Sequence, residues 1–134
     1  MKKIPIDMSS GVPMMDFHLW SRTKGVYRSI FALIDTGATI TTLSKDVLIL
    51  LGYDFTETTK KRIGTASGYE YVDEVYLDKV LIGEFELNNV AVYAHNFPQN
   101  NLLSGGVIGM NILSQFEMFI SFKRKFMQLT PNEE

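Results

Sequence analysis

Apolar and polar positions alternate along residues 13–23, where Met15, Phe17 and Leu19 interleave with Asp16, His18 and Trp20. A period of two turns one face of an extended strand inward and the other outward. Residues 4–7 read as a shorter strand. Thr23-Lys24-Gly25 marks a turn from which residues 26–34 return as the second arm of a hairpin. Residues 39–43 are β-branched and extended. Ser44 suits the N-cap of a helix over residues 45–51, which Gly52 ends. Its apolar residues, Val47 through Leu51 without a break, surround the helix, so a short and largely buried helix is expected. Residues 58–63 and 69–77 read as strands joined through Gly64-Thr65-Ala66-Ser67-Gly68, a small polar loop suited to a mobile hairpin tip. A meander of short strands follows over residues 77–82, 85–87 and 90–94, with Gly83-Glu84 and Asn88-Asn89 at its turns. Residues 96–106 form a loop and residues 111–116 a short helix. Residues 117–122 and 126–129 form a closing hairpin about Lys123-Arg124-Lys125. The pattern predicts one all-β domain over residues 1–134, a barrel or sandwich with one or two short helices.

Composition narrows what this domain does. A chain of 134 residues with 46% apolar and 21% charged positions is long enough to bury one core. A formal charge of −2 gives no reason to expect nucleic acid or an anionic membrane as partner. The basic runs Lys60-Lys61-Arg62 and Lys123-Arg124-Lys125 read as solvated turns or strand ends, and Asp73, Glu74 and Asp78 as a solvated acidic face. The absence of cysteine excludes disulfides, thiolate nucleophiles and cysteine zinc sites, and is compatible with a cytoplasmic location. Met1-Lys2-Lys3 runs directly into Pro5 and Asp7, with no apolar segment of a signal peptide. No apolar run reaches the length of a membrane helix, so the chain is expected to be soluble. His18 and His95 lie on separate predicted strands without metal-binding spacing, and no metal or other cofactor is expected. Ser67 and Ser104 sit in glycine-flanked loops but lack a Gly-x-Ser-x-Gly elbow.

Two stretches carry candidate chemistry. The apolar run over residues 30–34 delivers Asp35 onto the turn Thr36-Gly37. A buried strand has no structural need to end on an acid, because an unpaired carboxylate costs several kcal/mol to desolvate. Alone, Asp35-Thr36-Gly37 reads equally well as an ordinary turn with its carboxylate in water. The second stretch runs from Leu102 to Leu113 and contains Val107-Ile108-Gly109, in which a glycine beside core residues marks the close passage of another backbone.

The order of these elements is Asp35-Thr36-Gly37-Ala38, a helix, a glycine-tipped hairpin, a meander, and then Val107-Ile108-Gly109 before a short helix and a closing strand. Over residues 12–130 it resembles the retropepsin-like, or gag-pol-like, single-domain aspartic proteases. The resemblance implies an acid-protease closed barrel and an aspartic endopeptidase that hydrolyses peptide bonds of peptide or protein substrates. It implies that Asp35 is the catalytic carboxylate, that Thr36 makes a hydrogen-bond grip between two active-site loops, and that Gly37 permits close backbone approach. Residues 64–69 would be the flap, so Thr65, Ala66, Ser67, Gly68 and Tyr69 join Ala38, Val107 and Ile108 as candidate substrate contacts. Leu33 and Ile82 are further candidate pocket walls. Gly109 would lie beneath the active-site loop. Ala38 stands where many two-lobed relatives have serine, and Met110 where retroviral enzymes have an arginine.

Amide hydrolysis by carboxyl groups needs one as base toward water and one as acid; two held about 3 Å apart share a single proton. This chain has one Asp-Thr-Gly, so the second carboxyl must be Asp35 of another copy, in an isologous homodimer. The tail over residues 126–131 has the strand character to join an interleaved terminal sheet. The alternative is an acid-protease fold used for dimerisation or peptide binding without turnover. An unrelated barrel with an accidental motif is a third reading.

Overall fold

The computed structural model describes residues 2–56, 58–96 and 105–132, with only the backbone at Thr65. Strand β1 (Ile4–Pro5) is followed by β2 (Met14–Ser21), where the predicted alternation is realised: Met15, Phe17 and Leu19 are buried and Asp16 is exposed. Strand β3 (Val26–Ile34) pairs antiparallel with β2 along its full length. Next come β4 (Thr42–Leu43) and α1 (Lys45–Leu50), then β5 (Thr59–Thr65), β6 (Gly68–Ile82) and β7 (Phe85–Ala94). The chain ends with β8 (Gly106–Ile108), α2 (Met110–Leu113), β9 (Phe116–Ser121) and β10 (Phe126–Pro131).

Six strands close a barrel in the order β2-β3-β8-β4-β7-β6, with β6 returning to β2 at His18↔Leu81 and Leu19↔Val80. Strand β5 lies outside the ring and pairs only with β6. A second sheet, β1-β10-β9, is built within the one chain and accounts for the strand character of residues 126–131. Phe17, Leu43, Leu77, Ile82, Ile108, Ile112 and Met127 form a continuous core between the barrel and this second sheet. No described helix is long and apolar enough to cross a membrane.

Five expectations are corrected, the first being the turn at Asn88-Asn89, which lies inside the unbroken strand β7. The meander does not begin with a separate strand at residues 77–82, because β6 runs unbroken from Gly68 to Ile82. Its inward face changes midway, with Val75 and Leu77 buried before Asp78 and Val80 and Ile82 buried after it. A switch in parity reads as a break in a period-two pattern. Helix α1 is not largely buried: within Lys45–Leu50 only Leu48 is enclosed, while Ile49 and Leu50 are 50% and 77% exposed. Six residues make fewer than two turns on the barrel's outside, so one side chain suffices to seat them. Lys60-Lys61-Arg62 lies inside strand β5, not at a turn or strand end. Asp73 is not on a solvated face but 4% exposed, for reasons given below. The expected loop from residue 96 is described only in part: Ser104, with the rest of residues 97–104, lies outside the described residues.

Candidate active site

Asp35 follows directly from the parallel ladder between β3 and β8, in which Leu33 faces Val107 and Ile34 faces Ile108. Ile34 and Ile108 point into the core, so Leu33, Val107 and Asp35 fall on the opposite face of the alternating strand. The Asp35 N–H donates to the Ile108 carbonyl at 3.0 Å, extending the ladder by one bond. Its Oδ1 accepts from the Gly37 N–H at 2.9 Å, and the Ala38 N–H donates to the Asp35 carbonyl at 3.2 Å. The carboxylate is thus held in a tight Asx-type turn, partly buried, with Thr36 and Gly37 exposed and Ala38 partly buried. A Cβ at position 37 would sit 3.2 Å from Asp35 Oδ1.

A second segment braces this loop from beneath. The N–H groups of Met110 and Asn111, at the start of α2, donate to the carbonyls of Ala38 (2.7 Å) and Thr39 (3.0 Å). The loop therefore satisfies first-turn donors that a helix leaves unpaired, where N-cap Gly109 has no side chain to do so. The Gly109 N–H donates to Thr41 Oγ1 at 3.0 Å. Thr41 N–H and Oγ1–H both donate to Asn111 Oδ1 at 2.8 Å, and Asn111 Nδ2 donates to the Ala91 carbonyl on β7 at 2.7 Å. One fully buried threonine and one asparagine thus bind the active-site loop, the Gly109 segment and the barrel wall together. Thr41→Val keeps the shape but leaves the buried Gly109 N–H without an acceptor. We expect it to destabilise the fold by about 2 kcal/mol, seen as a lower urea midpoint at unchanged slope.

The β5–β6 hairpin turns through Ala66 and Ser67, with Thr65 opposite Gly68 and Gly68 at φ +130°. Ala66, Ser67, Gly68 and Tyr69 are all exposed, and the Arg62 guanidinium lies 4.3 Å from the centre of the Tyr69 ring. Farther down the arm, His95 Nε2 lies 3.6 Å from Glu70 Oε2. At the foot, Asp73 accepts from Thr58 Oγ1 (2.7 Å) and from Lys60 Nζ, and its other oxygen meets Lys45 Nζ at 3.0 Å. Burial alone would raise the pKa of this carboxyl, but the hydrogen bonds from Lys60, Thr58 and Lys45 hold it at about 2. A folded-state value below the ordinary carboxylate range contributes stability that is complete above that range and is lost as pH falls through about 2.

The predicted site residues separate into groups. Asp35, Gly37, Ala38 and Val107 meet at the crossing of the two loops. Thr36 is exposed and has no hydrogen-bond partner among the described residues; within one chain, Thr41 and Asn111 make the tie between loops. Ala66, Ser67, Gly68 and Tyr69, with the backbone of Thr65, form the hairpin tip. Ile108 is corrected: it is fully buried in the core, as is the candidate wall Ile82, and Val107, on the other face of β8, is buried as well at 7% exposure, so none of the three offers open surface to a substrate. Sequence reading gave no role to Thr41 or Asn111 and placed Asp73 on a solvated face. Of these, only Asn111 carried a signal, as the polar residue two places after a glycine that marks a backbone crossing.

Comparison with known proteins agrees with this geometry. No curated protein sequence matches the chain. Among solved structures, the crystal structure of a retropepsin-like aspartic protease from Rickettsia conorii is similar to it at 22% sequence identity. The TM-score is 0.69, over 96% of this chain and 88% of that one, a likeness of fold. Residues 26–115, well over half of the sequence, match the profile of the family described as "gag-polyprotein putative aspartyl protease". That span runs from β3 through Asp35 and the hairpin to the Gly109 crossing, and the chain belongs to this family of retropepsin-like aspartic proteases.

Proposed function

We propose that the chain is an aspartic endopeptidase acting as a homodimer, with a water activated between Asp35 of one copy and Asp35 of the other. Asp35 itself carries this reading: it is a partly buried carboxylate fixed at a braced loop crossing, and the sequence supplies one such motif. Clefts of about 180 to 510 Å³ elsewhere on the described surface are lined by other residues, and the exposed Thr36 and Gly37 put the Asp35 loop at the surface. A carboxylate on an open face needs a second surface to enclose a peptide. In the paired site, the ionised carboxyl takes a proton from water as its oxygen attacks the scissile carbonyl carbon, and the protonated carboxyl gives its proton to the carbonyl oxygen. Transfer of a proton to the amide nitrogen then breaks the C–N bond, yielding a carboxylic acid and an amine. Thr36 and Gly37 shape the loop, and Ala38 and the hairpin tip at residues 65–69 contact the substrate.

Co-refolding wild-type chain with a ninefold excess of Asp35→Asn chain tests the shared site. Random pairing leaves about a tenth of wild-type chains with a wild-type partner, so cleavage per wild-type chain falls to about a tenth. Unchanged activity per wild-type chain overturns the homodimeric site.

A further inference from the structure

We propose that Asp73 is a positioning residue for this cleavage, fixing the β5–β6 hairpin to the segment that leaves the Asp35 loop; this rests on the proteolytic reading of Asp35. Among the described residues, β5 and β7 flank strand β6 together only at Asp73 and Glu74, β5 through Lys60↔Asp73 and Thr59↔Glu74 and β7 through Asp73↔Ala94 and Glu74↔Tyr93. From Gly68 to Val72 it pairs with β5 and not with β7, so Asp73 stands at the hairpin's pivot.

The partners of its carboxylate divide by origin. Lys60 lies on the arm opposite, and Thr58 immediately precedes β5. Lys45, which meets the other oxygen at 3.0 Å, belongs to neither. It is the first residue of α1, reached from the Asp35 loop through β4, and its own N–H donates to the His95 carbonyl at 3.3 Å. Its ammonium also lies 5.2 Å from the centre of the Phe55 ring. The Asp73–Lys45 contact therefore joins the hairpin's pivot to the outgoing end of the candidate catalytic loop. Farther out, Glu70 and His95 bring the arm to the end of β7 a second time. Lys60 is 61% exposed and Lys45 only 33%, so solvent screens the contact within the hairpin more than the contact to the body. An apolar side chain of similar size would seat the hairpin at lower desolvation cost. A buried carboxylate sets its direction as well.

Amide hydrogen exchange and steady-state kinetics on the full chain separate this role from bulk stability. In Lys45→Gln, amides over residues 60–72 exchange about tenfold faster while those of β2 and β9 keep their rates. Lys60→Gln, which spares the tie to the body, gives a smaller change. With a peptide substrate, Lys45→Gln raises KM about tenfold and holds kcat within about twofold, and Lys45→Arg restores both. Acceleration of all strands by a common factor, or equal effects of the two glutamine variants, overturns the proposal. So does an unchanged hairpin. Exchange is read without turnover, so a chain that cleaves nothing defeats the proteolytic reading while the exchange pattern still decides whether Asp73 pins the hairpin.

Discussion

Asp35→Asn lowers peptide-bond cleavage by more than about 1000-fold and leaves the fold intact. The amide has the size of the carboxylate, and its oxygen still accepts the Gly37 N–H that closes the turn. The bonds from Asp35 N–H to Ile108 and from Ala38 N–H to the Asp35 carbonyl are main-chain and do not depend on the side chain. What is lost is the ability to take a proton from water, and in a homodimer it is lost from both copies at once. The expected result is a flat progress curve across acidic and neutral pH, with a thermal midpoint within a few degrees of wild type. Undiminished cleavage by the purified variant would remove Asp35 from the chemistry. A wild-type chain that binds peptides in a stable dimer and never cleaves them would leave the non-catalytic reading in its place.

What could be read from the sequence follows the range of the interactions concerned. The alternation in β2 and the Asp35-Thr36-Gly37 turn are set by neighbours two residues apart, and both were visible. Closure of the barrel is legible only through the family resemblance and not in the strand pattern, because it runs through β4 and β8, strands of two and three residues whose partners lie far away in the chain. The Thr41–Asn111 bond spans 70 positions, and although Asn111 follows the crossing glycine, nothing local to either residue names the other as its partner. Asp73 looked solvated because it sits among Glu74, Asp78 and exposed tyrosines; the lysines that make its burial tolerable come from β5 and α1. Val107 and Ile108 could not be told apart until β8 was placed parallel to β3, which sends Ile108 into the core beside Ile34 and leaves Val107 with Leu33. All three residues of β8 are buried, so a strand this short carries no alternation from which the sequence alone could assign its two faces.

Gly109→Ala is expected to lower stability sharply, and it tests the crossing directly. The backbone at Gly109 has φ −99° and ψ −177°, extended values open to any residue, so conformational freedom is not why glycine is there. Space is the reason. A Cβ would lie 2.7 Å from the carbonyl carbon of Ile40, 2.8 Å from the nitrogen of Thr41 and 2.9 Å from the oxygen of Ala38. All three are main-chain atoms that no rotamer change can move aside. Relief requires the two loops to separate, which strains the bonds from Met110 N–H to Ala38 and from Gly109 N–H to Thr41. We expect a loss of about 3 kcal/mol or more, a fall of about 10 °C in thermal midpoint. Because Asp35 hangs from the same loop, cleavage falls by about 100-fold even at temperatures where the variant is folded. Gly64→Ala provides the contrast: its Cβ would meet nothing within 4 Å, and its unfolding free energy stays within about 0.5 kcal/mol of wild type. Equal stability of the two alanine variants would mean that the loops are not packed against each other at Gly109.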